Sequence, residues 1–424
     1  MEIGSLVQKF FRTDEIQNVK SLHLRTGQIV QGKILKLMNE QFVMISINGM
    51  KVIAKSEIPL REGQKSFFLV ISEENGLPKL KLLNTYETNN HSLPITDLLK
   101  TLQLKDNVQN RNLLATLIEK RIPLSKDNVL TIEQYLLQTK SDITTVLHGV
   151  EILNDLNLPI TFANIRATEE FFHGEDLLSK FTLLSQQLNE EIVLREQSND
   201  NSEEVKLLKQ VEKEIRDLLT SLFISKDNIE GKELQSSIKK YLRYLRPEAN
   251  METSFKQKLE LLLGIREKLP DRIIATLETI VYSLHGQQLM IEQDSNLFTQ
   301  TILQFPHFIP FSEQPVYVQI HSKKKGNRSI DLEDVRLVFL FQFPNLGDLI
   351  VQLDLFQKQM IVRLYNDHPS ISEIVKTIAG KFEEFMKNQG YQISGIQVRT
   401  IKELKGRQQF PSSTTPYQGV DIRI

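Results

Sequence analysis

The chain has 424 residues, a quarter of them charged, with a net charge of −1 and no cysteine. That length holds several domains with buried cores, and the even charge argues against a dedicated polyanion binder. The missing thiols exclude disulfides, thiolate nucleophiles and cysteine metal sites.

Segment 1–18 carries Glu2, Lys9, Arg12, Asp14 and Glu15 and lacks the apolar core of a secretory signal. No apolar run approaches the roughly 18 residues of a membrane span, so no membrane insertion is expected. Residues 19–84 read as β. The runs "IVQGKILKL", "QFVMISI", "KVIAKSEIP", "GQKSFFLVI" and "LPKLKLL" are short strands parted by Gly, Asn or Pro. They predict a small OB-like barrel, with Asn48-Gly49 as a hairpin turn. Its aromatic residues, Phe42, Phe67 and Phe68, sit within apolar strand pattern and read as core. A polyanion-binding role for the barrel would map to Lys33, Lys36 and Lys51.

Thr85 to Leu93 is polar and aperiodic and reads as a linker. Residues 94–300 are expected to be all-α. Within them a helical hairpin is duplicated, at about 117–136 and 152–172, with Pro123 over Pro159, Ser125 over Thr161, Asn128 over Asn164, Glu133 over Glu169 and Tyr135 over Phe171. Each copy reads as an X-Pro break, a Ser or Thr cap and a new helix. Pro247 and Pro270 break the later helices.

Residues 310–400 predict a C-terminal α+β domain. "VYVQIHS" begins it, and Lys323 to Arg328 follows as a basic loop. Val335, Leu337, Phe339, Phe341 and Phe343 then alternate as in a strand. After Pro344-Asn345-Leu346-Gly347 the alternation resumes at Leu349, Val351, Leu353 and Leu355, pauses at Gln357-Lys358, and continues through Met360, Val362 and Leu364. Ile371, Ile374, Val375, Ile378, Phe382, Phe385 and Met386 share one helical face. Ser370 with Glu373 reads as its capping box and Gly390 as its left-handed cap, before a strand from Tyr391 to Val398. Residues 405–424 form a polar tail. The fold class expected is therefore multidomain: a small β-barrel, an all-α centre and a C-terminal α+β domain.

Catalytic patterns are missing. The eight histidines form no His-x-x-x-His pair, and there is no Gly-x-Ser-x-Gly elbow and no phosphate-binding glycine loop. Glu383 and Glu384 face away from the apolar stripe of their helix. The expectation is a non-enzymatic protein with no cofactor and no metal.

The stretch "FPNLGDLIVQLDLFQKQMIVRLYNDHPSISEIVKTIAGKFEEFMKNQGYQISGIQV" resembles the C-terminal domain of the flagellar hook-length control proteins. It has their Leu-Gly turn (Leu346-Gly347), strand hairpin, capped amphipathic helix and Gly-aromatic strand entry (Gly390-Tyr391), with Pro344 one residue closer than usual. The overall plan is similar to hook-length-like proteins of spore-forming Gram-positive bacteria. The resemblance implies a cytoplasmic protein that a type III apparatus can export without a cleaved signal. It also implies contact between the C-terminal domain and the cytoplasmic domain of an export-switch-like protein, which changes substrate specificity. The partner surface it implies is the turn Leu346-Gly347-Asp348 with Leu349, Val351 and Leu353. Strict alternation alone would make those three core and leave Ile350 and the turn exposed. The family's usual low-complexity half is absent, with only 14 prolines here. Two readings follow: an export-related interaction factor acting through residues 310–400, or a cytoplasmic adaptor whose barrel binds nucleic acid or another ligand. Neutral overall charge favours the first.

Overall fold

The computed structural model describes residues 24–406 apart from 25, 39–41, 48–49, 57–59, 75–76, 84–94, 121, 157, 201, most of 223–254, 292, 295–297, 306–314 and 326–328. The expected Asn48-Gly49 turn, the linker and the tail beyond 406 lie outside the described residues.

Strands β1 (Ile29–Leu37), β2 (Phe42–Ile47), β3 (Met50–Ser56), β4 (Lys65–Glu74) and β5 (Leu77–Leu82) close into a barrel in the order β1-β2-β3-β5-β4. Period-2 alternation sends Val30, Ile34, Val43, Ile45, Ala54, Phe68, Val70 and Leu80 inward, where they form one buried cluster. A bulge between Ile34 and Lys36 turns β1 at its end.

The helical region holds α1 (Ile95–Thr101), α2 (Val108–Glu119), α3 (Lys126–Thr139), α4 (Ile143–Asp155), α5 (Phe162–Phe172), α6 (Leu177–Gln197), α7 (Glu203–Leu222), α8 (Phe255–Gly264) and α9 (Asp271–Ile291). The duplication is visible in its caps. Ser125 Oγ accepts the Asn128 N–H and Thr161 Oγ1 the Asn164 N–H, each at 3.2 Å. The following helices repeat as well. Asp142 caps the N–H groups of Thr144 and Thr145, and Asp176 those of Leu178 and Ser179. The repeated unit is thus α3–α4 and α5–α6, longer than the segments aligned in sequence. The copies touch where the Tyr135 hydroxyl donates to the Glu169 carboxylate. Burial first, and then that carboxylate, push the phenol pKa up.

The C-terminal sheet adds β6 (Gln293–Asp294), β7 (Phe298–Phe305), β8 (Val316–Lys325), β9 (Ser329–Phe343), β10 (Gly347–Phe356), β11 (Gln359–Tyr365) and β12 (Gln392–Arg399), in the spatial order β12-β11-β10-β9-β8-β7-β6. All pairs are antiparallel except β11–β12, which α10 (Ile371–Asn388) joins as a crossover. The sheet therefore begins near residue 293, inside the stretch expected to be helical, and Lys323 to Lys325 continue β8 instead of forming a loop. Ser370 makes no side-chain cap: its backbone is helical (φ −87°, ψ 0°), not the extended geometry that aims a hydroxyl at the third N–H. The reciprocal box lies instead at Thr400 and Glu403, which exchange side-chain-to-backbone hydrogen bonds of 3.3 Å at the start of α11 (Ile401–Gly406). Gly390 takes the expected left-handed conformation (φ +83°). Its N–H reaches Lys387 O and the Tyr391 N–H reaches Met386 O, a Schellman end.

Both faces of this sheet are packed on the helices. Leu303, Phe305, Val316 and Val318 join the core of α6 to α9. Ile302, Tyr317, Val338, Leu340, Ile350 and Tyr365 join Ile152, Phe171, Phe172 and Met290 on the other side.

Candidate nucleic-acid interface and partner face

The outer wall of the barrel is basic. Register places Lys65 beside Lys33, Lys33 beside Ser46, and Ser46 beside Lys51, so one row crosses β4, β1, β2 and β3. In the next row Lys36 stands beside Met44 and Met44 beside Ile53. Lys33, Lys36, Lys51 and Lys65 are all exposed. Glu62, in the loop before β4, is occupied by the Leu37 N–H at 3.0 Å. Residues 19–84 hold ten Lys and Arg against five Glu, a net +5, so the remainder of the chain carries −6. The overall balance of charge conceals this separation, and it weakens the sequence argument against a polyanion ligand. Phe67 and Phe68 are buried as expected, whereas Phe42 is half-buried and points outward with Met44 and Ser46.

At the C-terminal end the expected partner residues divide between two sheet faces. Leu349, Val351 and Leu353 are half-buried on the face that also carries Phe341, Phe339 and Leu337, their partners in β9. Ile350 points the other way and is 0% exposed. The expectation that Ile350 forms an exposed contact is thereby corrected: its face of β10 also carries Asp348, Gln352 and Asp354 and so reads as open, but Leu340, Tyr317 and Tyr365 bury Ile350 there. Gly347 (φ +66°) is exposed, and Leu346 and Asp348 are half-buried. The turn is pinned by Asn366, which donates from Nδ2 to Leu346 O and Asp348 O, both at 2.8 Å. Nothing in the sequence marked Asn366, since it is 20 residues from Leu346 and belongs to no motif.

The amphipathic face of α10 is only partly used. Ile371 and Val375 are buried, but Ile374, Ile378 and Phe385 remain 39%, 51% and 59% exposed. Among the described residues they form an uncovered stripe at helical spacing. Among the described residues no group of His, Asp and Glu could hold a metal ion, and no helix is long and apolar enough to cross a membrane.

A model of the TP0910 S1-like domain matches residues 6–81. The N-terminal unit is thus an S1-like barrel of the OB type. One curated relative, the "Uncharacterized protein YlqG" of Bacillus subtilis (strain 168), is 25% identical over 150 residues, which cover 35% of this chain and 26% of that protein. The chain therefore spans about a quarter of the length of this relative. No solved structure matches the chain.

Proposed function

We propose that this chain is a non-enzymatic adaptor whose N-terminal barrel binds single-stranded nucleic acid. The observation that carries this reading is the Lys65, Lys33 and Lys51 row on the outer wall of an S1-like barrel. OB-type barrels bind oligonucleotides on their sheet face, and lysines in a row suit a phosphate backbone. Titrating the full chain into a labelled single-stranded RNA should give binding in the range of about 1–100 µM at physiological salt. Cross-links should map to residues 29–82. Absence of binding even at 50 mM salt would refute the reading.

A second reading is favoured by the exposed Ile374, Ile378 and Phe385 stripe of α10. On the hook-length resemblance, this end docks an export-switch-like cytoplasmic domain. Full-length chain used as bait should recover such a protein from the source organism. Ile378→Asp with Phe385→Asp should abolish recovery without disturbing the fold, and Asp348→Lys should weaken it. Unchanged recovery by the double variant would remove α10 from the interface.

A further inference from the structure

We infer that the barrel face tracks a phosphodiester backbone and reads no bases, so that single-stranded RNA or DNA of any sequence binds alike. This rests on the nucleic-acid reading above and adds what kind of recognition the face can perform. Neighbouring strands lie about 4.8 Å apart, so Lys65 and Lys33 sit one strand spacing from each other and Lys51 lies about 10 Å beyond Lys33. Between them stands Ser46, a small neutral residue that leaves the row unobstructed. Lys36 extends the cationic surface into the next row.

Base recognition on such a barrel needs flat rings on which bases can stack. The side chains beside the lysines are Met44 and Ile53, with Leu37 and Met38 exposed at the end of β1. None of these offers a π-face. Phe42 is the outward ring on this face among the described residues. It is half-buried, pairs with Lys55 and lies two residues along β2 from Met44, the neighbour of Lys36, but four from Ser46 in the main lysine row, about 13 Å at strand rise. The chain contains no tryptophan. Among the described residues, what this face offers a ligand is charge. The +5 barrel on a −6 remainder steers a polyanion to this end of the molecule and away from the helical body.

The test is fluorescence anisotropy with the full chain and three labelled twelve-mers: a uridine RNA, a mixed-sequence DNA and an abasic strand of equal charge. All three should bind within about threefold of one another. A plot of log K against log salt should have a slope of about −2 to −3, the value for three or four neutralised phosphates on a single strand. Lys33→Glu with Lys65→Glu, both exposed positions, should weaken binding more than tenfold and flatten the slope. Phe42→Ala should change affinity less than twofold. If the abasic strand binds tenfold more weakly than the others, or if Phe42→Ala costs tenfold, bases are being read and this inference is overturned while the nucleic-acid reading stands. If no strand binds at any salt, both fall together.

Discussion

Ile29 and Leu124 form a two-residue antiparallel bridge, with the Ile29 N–H on Leu124 O at 2.7 Å and the Leu124 N–H on Ile29 O at 2.9 Å. Both side chains are buried in the core that α1 to α5 share with Phe67 of the barrel. The first barrel strand is thereby fastened to the segment between α2 and α3, so the barrel is not a bead held by a linker alone.

Removing that fastening should separate two melting events. Leu124→Pro deletes one bridge donor and leaves Ile29 O buried without its partner, a loss of about 1–3 kcal/mol before side-chain packing is counted. The parent should melt with barrel and helices together. In the variant, amides of Ile29–Leu37 should exchange ahead of those in α3. Simultaneous exchange in the variant would show that the bridge does not couple them.

Two glycines should respond in opposite directions. Gly286 lies where α9 crosses α5: a Cβ there would collide with the Ala167 carbonyl oxygen and come within 2.8 Å of Phe171 Cβ. Backbone cannot step aside easily, so Gly286→Ala should cost about 2–3 kcal/mol. Gly380, within α10, has nothing within 4 Å of the added methyl and no positive φ. Gly380→Ala should stabilise by about 0.5–1 kcal/mol through helix propensity. Denaturant midpoints measure both.

The turn between β10 and β11 is built from Gln357 (φ +47°) and Lys358 (φ +67°), two left-handed residues in succession and neither of them glycine. The geometry is that of a two-residue hairpin turn, which favours Asn-Gly. Gln357→Asn with Lys358→Gly should raise stability by about 1 kcal/mol. Unchanged thermal midpoints would argue that the turn relaxes at no cost.

His321 should make stability pH-dependent. Register aligns it with Arg336, and Arg336 with Asp354. Arg336 Nε donates to Asp354 Oδ1 at 2.5 Å, and Arg363 also donates to that carboxylate. Burial first, and Arg336 next, lower the His321 pKa to about 4. The unfolded chain takes up this proton near 6.5, so between the two values it holds more protons than the folded chain. Stability should therefore fall as pH drops from 6.5 to 4, by about 3 kcal/mol in total, and be unaffected by this group above that window. His321→Gln should flatten that part of the profile relative to the parent. An identical slope would assign it to other groups.

The barrel was legible because its strands alternate around one buried interior and stop at turn residues. The Ser125 and Thr161 caps were legible because capping depends on local chemistry. β7 was missed because both its faces are covered, Ile302 on one side and Leu303 on the other, which erases the period of two. Ile350 was misplaced for the opposite reason: Asp348, Gln352 and Asp354 make its face look polar, while its cover comes from Leu340, Tyr317 and Tyr365 on other strands. The lysine row was only half visible: Lys33, Lys36 and Lys51 stood out, but their alignment with Lys65 depends on the closure of β4 onto β1, which no local pattern encodes.

Helix α9 supplies Ile273, Leu277, Ile280 and Leu284 to one core and Met290 to another, and half-buried Leu289 leans on a third. A single rod thus serves as the axle on which the separate parts turn into one body. Cutting the chain before β7 would strip Leu303, Phe305, Val316 and Val318 of their cover and leave a sticky sheet in place of a domain. Passage of this protein through any narrow conduit would likewise require the whole assembly to come apart at once, because the axle cannot be withdrawn from one wheel alone.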